Sequence, residues 1–428
     1  MAREERPRVT PARKLALGLL AGVLMDGQTL QVLTAAKPFT LATPPDRARA
    51  QRLATDVLRQ LERLDRLLKR HIDRLPQLPV LNALRLGAYE LVVAGEAPHG
   101  VVSDLVTAVG PRKKGLVNAV LRKLSTEEQH WGKLPVPRMG RGLRKRLVAI
   151  YGNREVQLME AVQAKAPPVD LTAKSEPELW AKRLGGELLP WGTVRLAHGV
   201  QISALEGFED GAWWVQDAAA SLPVRALAPR AGERILDLCA APGGKTLQLA
   251  AAGAEVTALD ISEARTARLR ENLRRTGLVA QVVVGDALKH QGRYDAILLD
   301  APCSSTGTLR RHPDLSHIRD GGGIDTLLKL QWDMLCHALT LLRPGGRCVF
   351  ATCSLLPDEG EAHMARLKEM HPSFRLNQEA LALPGVPTAW LSPEGGLRLR
   401  PDHLADRGGM DVFYLSVIAR PQERVSTG

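Results

Sequence analysis

The sequence has few cysteines and aromatic residues, and it lacks a long apolar run. Its five cysteines are odd in number and form no CxxC pair, which favours a reducing compartment over a disulfide framework. The longest apolar stretch near the start, Leu15–Met25, is shorter than the roughly 20 residues that cross a bilayer. Glu4 and Glu5 interrupt what would otherwise imitate a basic export leader. We therefore expect a folded cytoplasmic protein that neither enters a membrane nor is exported.

Acidic residues are scarce in the first third of the chain. Residues 1–146 contain 27 Lys and Arg against 13 Asp and Glu, a net charge of +14, whereas the remainder has 31 against 33, or −2. A basic segment beside a neutral one favours a polyanion-binding domain next to a domain with another task. A solvated basic face that only aids solubility is the alternative.

The apolar pattern divides the 428 residues into three parts. Apolar residues recur with helical spacing from Leu17 to Leu33 and from Leu53 to Leu68, each of which predicts a helix, and no alternating strand pattern precedes about residue 165. From residue 223, apolar strands such as 255–259 alternate with helices such as 263–275, which favours a parallel sheet covered on both faces. We expect a helical domain over 1–140, a mixed α/β linker subdomain over 141–222 and an α/β domain over 223–428. The chain has no internal repeat and no low-complexity tract.

A small-residue turn follows the first strand of the α/β region. The turn contains Cys239, Ala240, Ala241, Pro242, Gly243, Gly244 and Lys245. Three kinds of ligand site can be built on such a turn: a dinucleotide site, a P-loop for nucleotide phosphates and a site for a nucleoside cofactor. The turn lacks the GxGxxG of a dinucleotide site, and a P-loop would need glycine where Cys239 stands. A nucleoside cofactor without a phosphate chain, such as S-adenosylmethionine, is the third.

Acidic residues at three further strand ends favour that third ligand. Asp260 can accept hydrogen bonds from two ribose hydroxyls, and Asp286 is suited to an adenine amino group. Asp300 ends the next strand. A single such aspartate is more often a helix cap or turn residue, but three in succession weaken that interpretation.

Two cysteines also follow strands, which places both thiols at the ligand edge of the predicted sheet. They are Cys303 and Cys353, whereas Cys336 and Cys348 are interpreted as small buried apolar residues. No metal site is expected, because the spacing and nearby histidines form no ligand set. Carbon 5 of a pyrimidine accepts a methyl group only after a thiolate adds at carbon 6. That chemistry needs a nucleophile, an acidic partner and a helper for elimination, for which Cys353, Asp300 and Cys303 are the candidates.

Taken in order, these motifs resemble those of the RNA cytosine-5 methyltransferases of the RsmB/NOP family, in particular the type acting on 16S ribosomal RNA. The matching segments are 215–218, 238–246, 300–307, 310–314 and 352–354. The resemblance implies cofactor contacts at Cys239–Lys245, Asp260, Asp286 and Asp300. It also implies that Cys353 is the nucleophile and that Cys303 assists product release.

The N-terminal part resembles the NusB-like RNA-binding domain of the same enzymes, through segments 46–48, 83–89 and 115–122. The implied fold is multidomain: an all-α NusB-like domain followed by an α/β Rossmann-like class I methyltransferase domain. The implied donor is S-adenosyl-L-methionine, the implied partner is ribosomal RNA, and no protein partner is inferred. The sequence departs from the family pattern near Asp170, at Gly360 and at Val412.

Two other functions remain open at this point. A DNA cytosine methyltransferase would use a nucleophile resembling Cys303 and would not be expected to carry Cys353. An RNA-binding ribosome assembly factor with a vestigial methyltransferase fold would be expected to lose a thiol or the glycine turn. Another RNA could also be the substrate. The retained motifs favour an RNA methyltransferase.

Overall fold

The computed structural model describes residues 9–126, 128–318 and 323–422, so Glu4 and Glu5 lie outside the described part. The chain folds into two compact units. One is drawn from Met1–Ala166 and Leu309–Gly322, and the other from Pro167–Thr308 and Gly323–Gly428. Helices and strands are numbered separately along the chain.

The first unit is helical in its described residues, which confirms the all-α prediction. Its helices are α1 Pro11–Leu24, α2 Leu30–Ala35, α3 Pro44–Arg59, α4 Leu61–Leu68, α5 Leu78–Ala88, α6 Pro98–Ala108, α7 Lys114–Leu124, α8 Glu128–Trp131, α9 Arg141–Tyr151, α10 Asn153–Gln163 and α15 Leu315–Ile318. Leucines spaced by three or four residues, such as Leu64 and Leu68, are fully buried in one core. None of the described helices of the chain is long and apolar enough to span a membrane.

Two predicted long helices are each divided. The apolar spacing from Leu17 to Leu33 is interrupted between α1 and α2, where Gly27 has φ +64° and Thr29 caps the next helix by accepting from Val32 N at 3.3 Å. The spacing from Leu53 to Leu68 is interrupted at Gln60. The Gln60 side chain donates to the carbonyl of Ala164 at 2.6 Å. Periodicity continues across both breaks because each second helix returns to the same core.

The segment 310–314 belongs to this helical unit although it follows the α/β motifs in sequence. Asp314 is buried and accepts from Leu30 N at 2.9 Å, and the carbonyl of Arg310 accepts from Arg59 at 2.9 Å. A buried carboxylate bonded to a backbone amide at the start of α2 stabilises the fold locally. The conspicuous Arg-Arg-His-Pro-Asp motif therefore supplies packing and hydrogen bonds to the helices.

The second unit contains two sheets and the helices that flank them. Its elements are β1 Val169–Ala173, α11 Pro177–Arg183, β2 Glu187–Leu188, β3 Thr193–Leu196, β4 Trp213–Val215, α12 Ala218–Leu227, β5 Arg234–Leu238, α13 Gly244–Ala251, β6 Glu255–Asp260, α14 Glu263–Thr276, β7 Gln281–Val284, β8 Tyr294–Asp300, α16 Ile324–Leu341, β9 Leu342–Thr352, α17 Glu361–Met370, β10 Arg375–Leu376, β11 Leu397–Leu399 and β12 Phe413–Ala419. The smaller sheet has the antiparallel order β2-β3-β1-β4.

The larger sheet has the order β10-β12-β9-β8-β5-β6-β7, with β11 paired to β12. Strands β5 to β9 are parallel, whereas β12 runs antiparallel to β9. From β5 the chain adds β6 and then β7 on one side, and β8 pairs with β5 on the other side. In such open sheets the ligand crevice lies at the carboxyl ends of the strands where the order reverses. This architecture confirms the predicted α/β Rossmann-like fold.

Candidate active site

The predicted site residues share one edge of the larger sheet. Cys239 follows β5, Asp260 ends β6, Asp286 follows β7, Asp300 ends β8 and Cys353 follows β9. The strands are parallel and in register, so their carboxyl ends lie side by side. Residues far apart in the sequence are therefore brought to a single edge, as the sequence interpretation requires.

The glycine turn after β5 depends on one glycine for its shape. Gly243 has φ +108°, and a Cβ built there would lie 2.2 Å from the Leu269 side chain. Helix α13 starts at Gly244, so its first backbone N–H groups face the strand ends. Ala240 and Ala241 are small and buried, whereas Pro242 is exposed. The turn therefore consists of small residues, and its shape depends on glycine at 243.

Lys245 differs from the other turn residues because its side chain reaches β8. Its ammonium lies 2.7 Å from a carboxylate oxygen of Asp300 and 4.8 Å from the centre of the Phe413 ring. Burial lowers the pKa of Lys245, but the Asp300 carboxylate outweighs that effect and the pKa is raised overall. The ammonium is therefore held as a positive charge against the Asp300 carboxyl group.

Asp260 is buried and already makes several hydrogen bonds. One oxygen accepts from Ala241 N at 3.1 Å, and the other accepts from Ser262 N at 2.9 Å and Arg265 at 2.7 Å. These bonds tie the end of β6 to the glycine turn. Each carboxylate oxygen has two acceptor sites, so capacity remains for a ligand hydroxyl on the oxygen that faces Ala241.

Asp286 and Asp237 flank this region in different ways. Asp286 caps a short turn by accepting from Leu288 N at 3.0 Å, which is the ordinary role of a lone strand-end aspartate. Asp237, inside β5, is fully buried, and burial raises its pKa to about 7. One of its oxygens accepts from the Thr246 hydroxyl at 2.6 Å, while Oδ1 has no hydrogen-bond partner. An unpaired buried carboxylate oxygen is costly unless a bound group satisfies it.

The two candidate thiols lie together. The sulfur atoms of Cys303 and Cys353 are 3.4 Å apart, and both side chains are half-buried. The hydrogen bond with Cys353, burial and the charges of Cys353 and Glu359 raise the pKa of Cys303 well above its usual value. Lys245 has its positive charge near Cys353. The electrostatic surroundings of the two thiols therefore differ, with a cation beside one and a carboxylate beside the other.

The two cysteine loops are joined by their backbones. Gly307 N donates to the carbonyl of Cys353 at 3.0 Å, and Leu355 N donates to the Thr306 hydroxyl at 2.9 Å. A Cβ at Gly307 would lie 2.3 Å from the Cβ of Val412, so the loop fits only with glycine there. Val412, one of the departures from the family pattern, fills the space that a second glycine would leave.

The other two departures also have structural explanations. Asp170 is fully buried and forms a two-bond ion pair with Arg195 at 2.7 and 2.8 Å, which joins β1 to β3. At Gly360 a Cβ would lie 2.6 Å from the Tyr414 ring and 2.8 Å from Arg398. Glycine is needed because these two side chains occupy the space of the residue usual in the family.

Several residues at the site were not predicted from the sequence. Glu359 is fully buried and bonded to both cysteine loops through Ser304 and Ser354. Phe413 lies beside Lys245. The acidic pair Asp358-Glu359 shortly after Thr-Cys-Ser was the one local signal, but nothing near it in the sequence distinguishes it from an exposed turn. Among the described residues, no cluster of His, Cys, Asp and Glu side chains could hold a metal ion.

Comparison with known proteins places these features in a family. Residues 224–416 match the family described as 16S rRNA methyltransferase RsmB/F, and residues 10–126 match the NusB family. Two proteins named ribosomal RNA small subunit methyltransferase B are similar along most of their length. The one from Sodalis glossinidius is 35% identical over 87% of this chain and 93% of its own. The one from Vibrio cholerae is 36% identical over 88% and 90%.

Solved structures show the same fold. The crystal structure of PH0851 superposes with a TM-score of 0.68 at 19% identity, covering 97% of this chain and 100% of its own. A methyltransferase homolog protein from Pyrococcus horikoshii gives a TM-score of 0.54 at 26% identity, covering 64% of this chain and 93% of its own. The arrangement of β5 to β9 is thus a known methyltransferase architecture.

Proposed function

The chain belongs to the RsmB/F family of 16S rRNA methyltransferases, and we propose that it methylates carbon 5 of a cytosine in 16S ribosomal RNA through a covalent bond from Cys353 to carbon 6. It is an S-adenosyl-L-methionine-dependent ribosomal RNA methyltransferase. The observation that supports methylation at carbon 5 through a covalent bond is the pair of thiols 3.4 Å apart beside the Lys245–Asp300 ion pair. Methyl transfer to an oxygen or an exocyclic amine would need no such pair.

The residues at the strand ends fit the methyl donor. S-adenosyl-L-methionine supplies an electrophilic methyl group on a positively charged sulfur. The unpaired Oδ1 of Asp237 and the remaining acceptor capacity of Asp260 suit a cationic ligand that carries hydroxyl groups. Gly243, whose positive φ and close contact with Leu269 admit no side chain, sets the shape of the turn, and Asp286 is proposed for the adenine amino group. The other proposed contacts are Cys239, Ala240, Ala241, Pro242, Gly244, Lys245 and Asp300.

In the first chemical step, we assign the nucleophile to Cys353. Its thiolate, with the Lys245 ammonium as the nearby positive charge, adds to carbon 6 and turns carbon 5 into an enamine-like nucleophile. Negative charge then develops on the ring at nitrogen 3. Asp300 is the proposed acidic partner at that position: it takes a proton from the ammonium 2.7 Å away and donates it to nitrogen 3, and the proton returns to the Lys245–Asp300 pair once carbon 5 has been methylated.

After methylation, the carbon 5 proton must leave and the carbon–sulfur bond must break. Cys303 is protonated at neutral pH and lies 3.4 Å from Cys353, so it can give its proton to the departing Cys353 sulfur. The resulting Cys303 thiolate accepts the carbon 5 proton, and the electron pair of that C–H bond restores the ring double bond. Both cysteines end as thiols, and Cys353 loses one proton before the next turnover.

The direct test is the identity of the product. Purified protein, 16S ribosomal RNA and S-adenosyl-L-methionine are expected to yield 5-methylcytidine in nucleosides analysed by mass spectrometry. Bisulfite sequencing of the same RNA locates the modified cytosine. Methylation of another base, or of an exocyclic or ribose atom, would overturn the proposal.

We predict that Asp260→Ala weakens cofactor binding. Loss of the buried Asp260 carboxylate as a charged hydrogen-bond acceptor should cost about 1 to 3 kcal/mol of binding free energy, which raises Kd roughly 5- to 150-fold. Titration calorimetry with S-adenosylhomocysteine measures the change. Glu263→Ala is the matched control, because Glu263 is an exposed carboxylate in the following helix that pairs with Arg270. Equal affinity in the two variants would contradict the assignment of Asp260.

We further propose that residues 1–140 are an RNA-binding domain, that 141–222 link it to the catalytic domain, and that 223–428 carry the catalysis. The net charge of +14 over residues 1–146 supports phosphate contacts as the main source of RNA affinity. Before Trp131 the only aromatic residues are Phe39 and Tyr89, of which Phe39 is buried, so stacking on bases is a minor contribution.

A prediction follows for the exposed basic turn at Arg112, Lys113 and Lys114. Changing all three to glutamine should reduce the slope of log affinity against log salt by about 0.7 for each phosphate of single-stranded RNA that is no longer neutralised. Filter binding across salt concentrations measures the slope. The matched control neutralises three exposed cations of the second unit, Lys182, Arg230 and Lys368. An unchanged slope in the first variant would contradict this role of the turn.

Substitution is preferable to truncation in this experiment. The first unit includes 309–322 as well as the N-terminal helices. Deleting the first 146 residues would remove Leu30 and Arg59, which are the hydrogen-bond partners of Asp314 and Arg310. Reduced binding by the shortened chain could then arise either from the missing cations or from incomplete folding.

A further inference from the structure

A single buried carboxylate connects the two loops that carry the thiols. Glu359 follows the Cys353 loop, and one of its oxygens accepts from Ser304 N at 2.8 Å and from Gln331 at 2.9 Å. The other oxygen accepts from the hydroxyls of Ser304 and Ser354. Ser304 directly follows Cys303, and Ser354 directly follows Cys353. The residue next to each thiol is thus bonded to the same carboxylate.

The surroundings make this arrangement rigid. Glu359, Ser354 and Gln331 are fully buried. Gln331, on α16, also donates to the carbonyl of Pro302 at 2.8 Å, and its own oxygen pairs with His363 at 2.9 Å. Burial lowers the pKa of His363 to about 4, so this imidazole is neutral at physiological pH. Within the described residues, Glu359 forms no ion pair, and neutral donors alone satisfy it.

We propose that Glu359 is a positioning residue for methyl transfer: it fixes the loop after Cys303 against the loop after Cys353 and so sets the separation of the two thiols. The inference rests on the proposed function, because it concerns how the two thiols divide their tasks. Glu359 itself touches neither the base nor the cofactor in this assignment. Its effect passes through Ser304 and Ser354.

The charge of Glu359 gives the same residue a second, measurable consequence. Its carboxylate is one of the groups that raise the pKa of Cys303, after the Cys353 hydrogen bond and burial. Removing the charge without changing the shape should therefore make Cys303 easier to ionise. The titration of Cys303 therefore reports, independently of the reaction rate, whether the Glu359 carboxylate lies against this thiol.

The test compares Glu359→Gln with the full-length wild-type protein. We expect kcat to fall about 10- to 100-fold, the scale for a misplaced catalytic group, while KM for S-adenosyl-L-methionine stays within about twofold. We also expect the alkylation of Cys303 by iodoacetamide, followed by mass spectrometry of its peptide, to have its midpoint at a lower pH. Glu160→Gln is the control, since Glu160 is a buried carboxylate in the helical unit bonded to Met139 N and Arg144.

A second variant tests the inference if Glu359→Gln folds poorly. Ser304→Ala removes one hydroxyl that joins the Cys303 loop to the carboxylate and retains the charge of Glu359, so kcat should fall. Unchanged kcat in both variants, or an unchanged Cys303 midpoint in folded Glu359→Gln, would overturn the inference.

Failure of the proposed function is distinguishable, because Cys303→Ala alone would then form no covalent RNA complex. A Glu359→Gln/Cys303→Ala variant that traps RNA as fast as Cys303→Ala would reject the positioning role only.

Discussion

Replacing Cys353 with alanine is expected to abolish methyl transfer to RNA while leaving the affinity for S-adenosylhomocysteine unchanged. Without a thiolate at this position no bond to carbon 6 forms, and carbon 5 remains too poor a nucleophile to accept a methyl group. Loss of a covalent nucleophile costs at least about 10⁴-fold in rate. Incorporation of tritiated methyl groups into 16S ribosomal RNA measures activity, and calorimetry measures cofactor binding.

The same chain offers a matched control for that variant. Cys336 is a half-buried thiol on α16, outside the group of strand ends, and its sulfur lies 3.6 Å from His371. Cys336→Ala removes the same atoms and should retain methylation. Full activity of Cys353→Ala would eliminate Cys353 as the nucleophile. Parallel loss of activity in both variants would point to unfolding, which thermal melting would reveal.

Replacing Cys303 with alanine is expected to accumulate a covalent complex between protein and RNA. Cys353 can still add to carbon 6, but the thiol 3.4 Å away that assists its departure is gone. The adduct then forms faster than it resolves. A denaturing gel should show a band of reduced mobility that disappears after ribonuclease digestion. Multiple-turnover methylation by this variant should fall accordingly.

The double variant Cys303→Ala/Cys353→Ala is the control for this adduct, and it should give no shifted band. The roles of the two thiols would be reversed if Cys303→Ala formed no adduct and Cys353→Ala formed one. The structure favours the assigned direction because the carboxylate of Glu359 is near Cys303 and the ammonium of Lys245 is near Cys353. The carboxylate disfavours the thiolate form of Cys303, which suits a proton donor better than a nucleophile.

The fold class and the placement of the site were predictable from local patterns. Helical spacing in the first part shows which face of each helix is buried. The alternation of strands and helices does the same for the second part. Both are local properties of the sequence. Parallel strands align their carboxyl ends, so Asp260, Asp300 and Cys353 could be placed at one edge from the order of strands and helices alone. The predicted strand 255–259 and helix 263–275 agree with β6 and α14 to within one residue.

Periodicity could not show where a helix stops when the next helix returns to the same core. For that reason the apolar spacing predicts one continuous helix where α1 and α2 lie, and another where α3 and α4 lie. The segment containing Arg310 and Asp314 carries a family motif but packs in the helical unit, because its hydrogen-bond partners, Arg59 and Leu30, are more than 200 positions away in sequence.

The sequence by itself determined the two architectures, the glycine turn and the two thiols at strand ends, because each depends on residues close in the chain or on the general geometry of parallel sheets. Only the tertiary structure decided the partners of those groups. It paired Lys245 with Asp300, 55 positions apart, and joined Ser304 and Ser354 through the buried carboxylate of Glu359. Such partners depend on which loops the sheet order makes neighbours and on side-chain directions within a packed core, and neither leaves a periodic signal in the sequence.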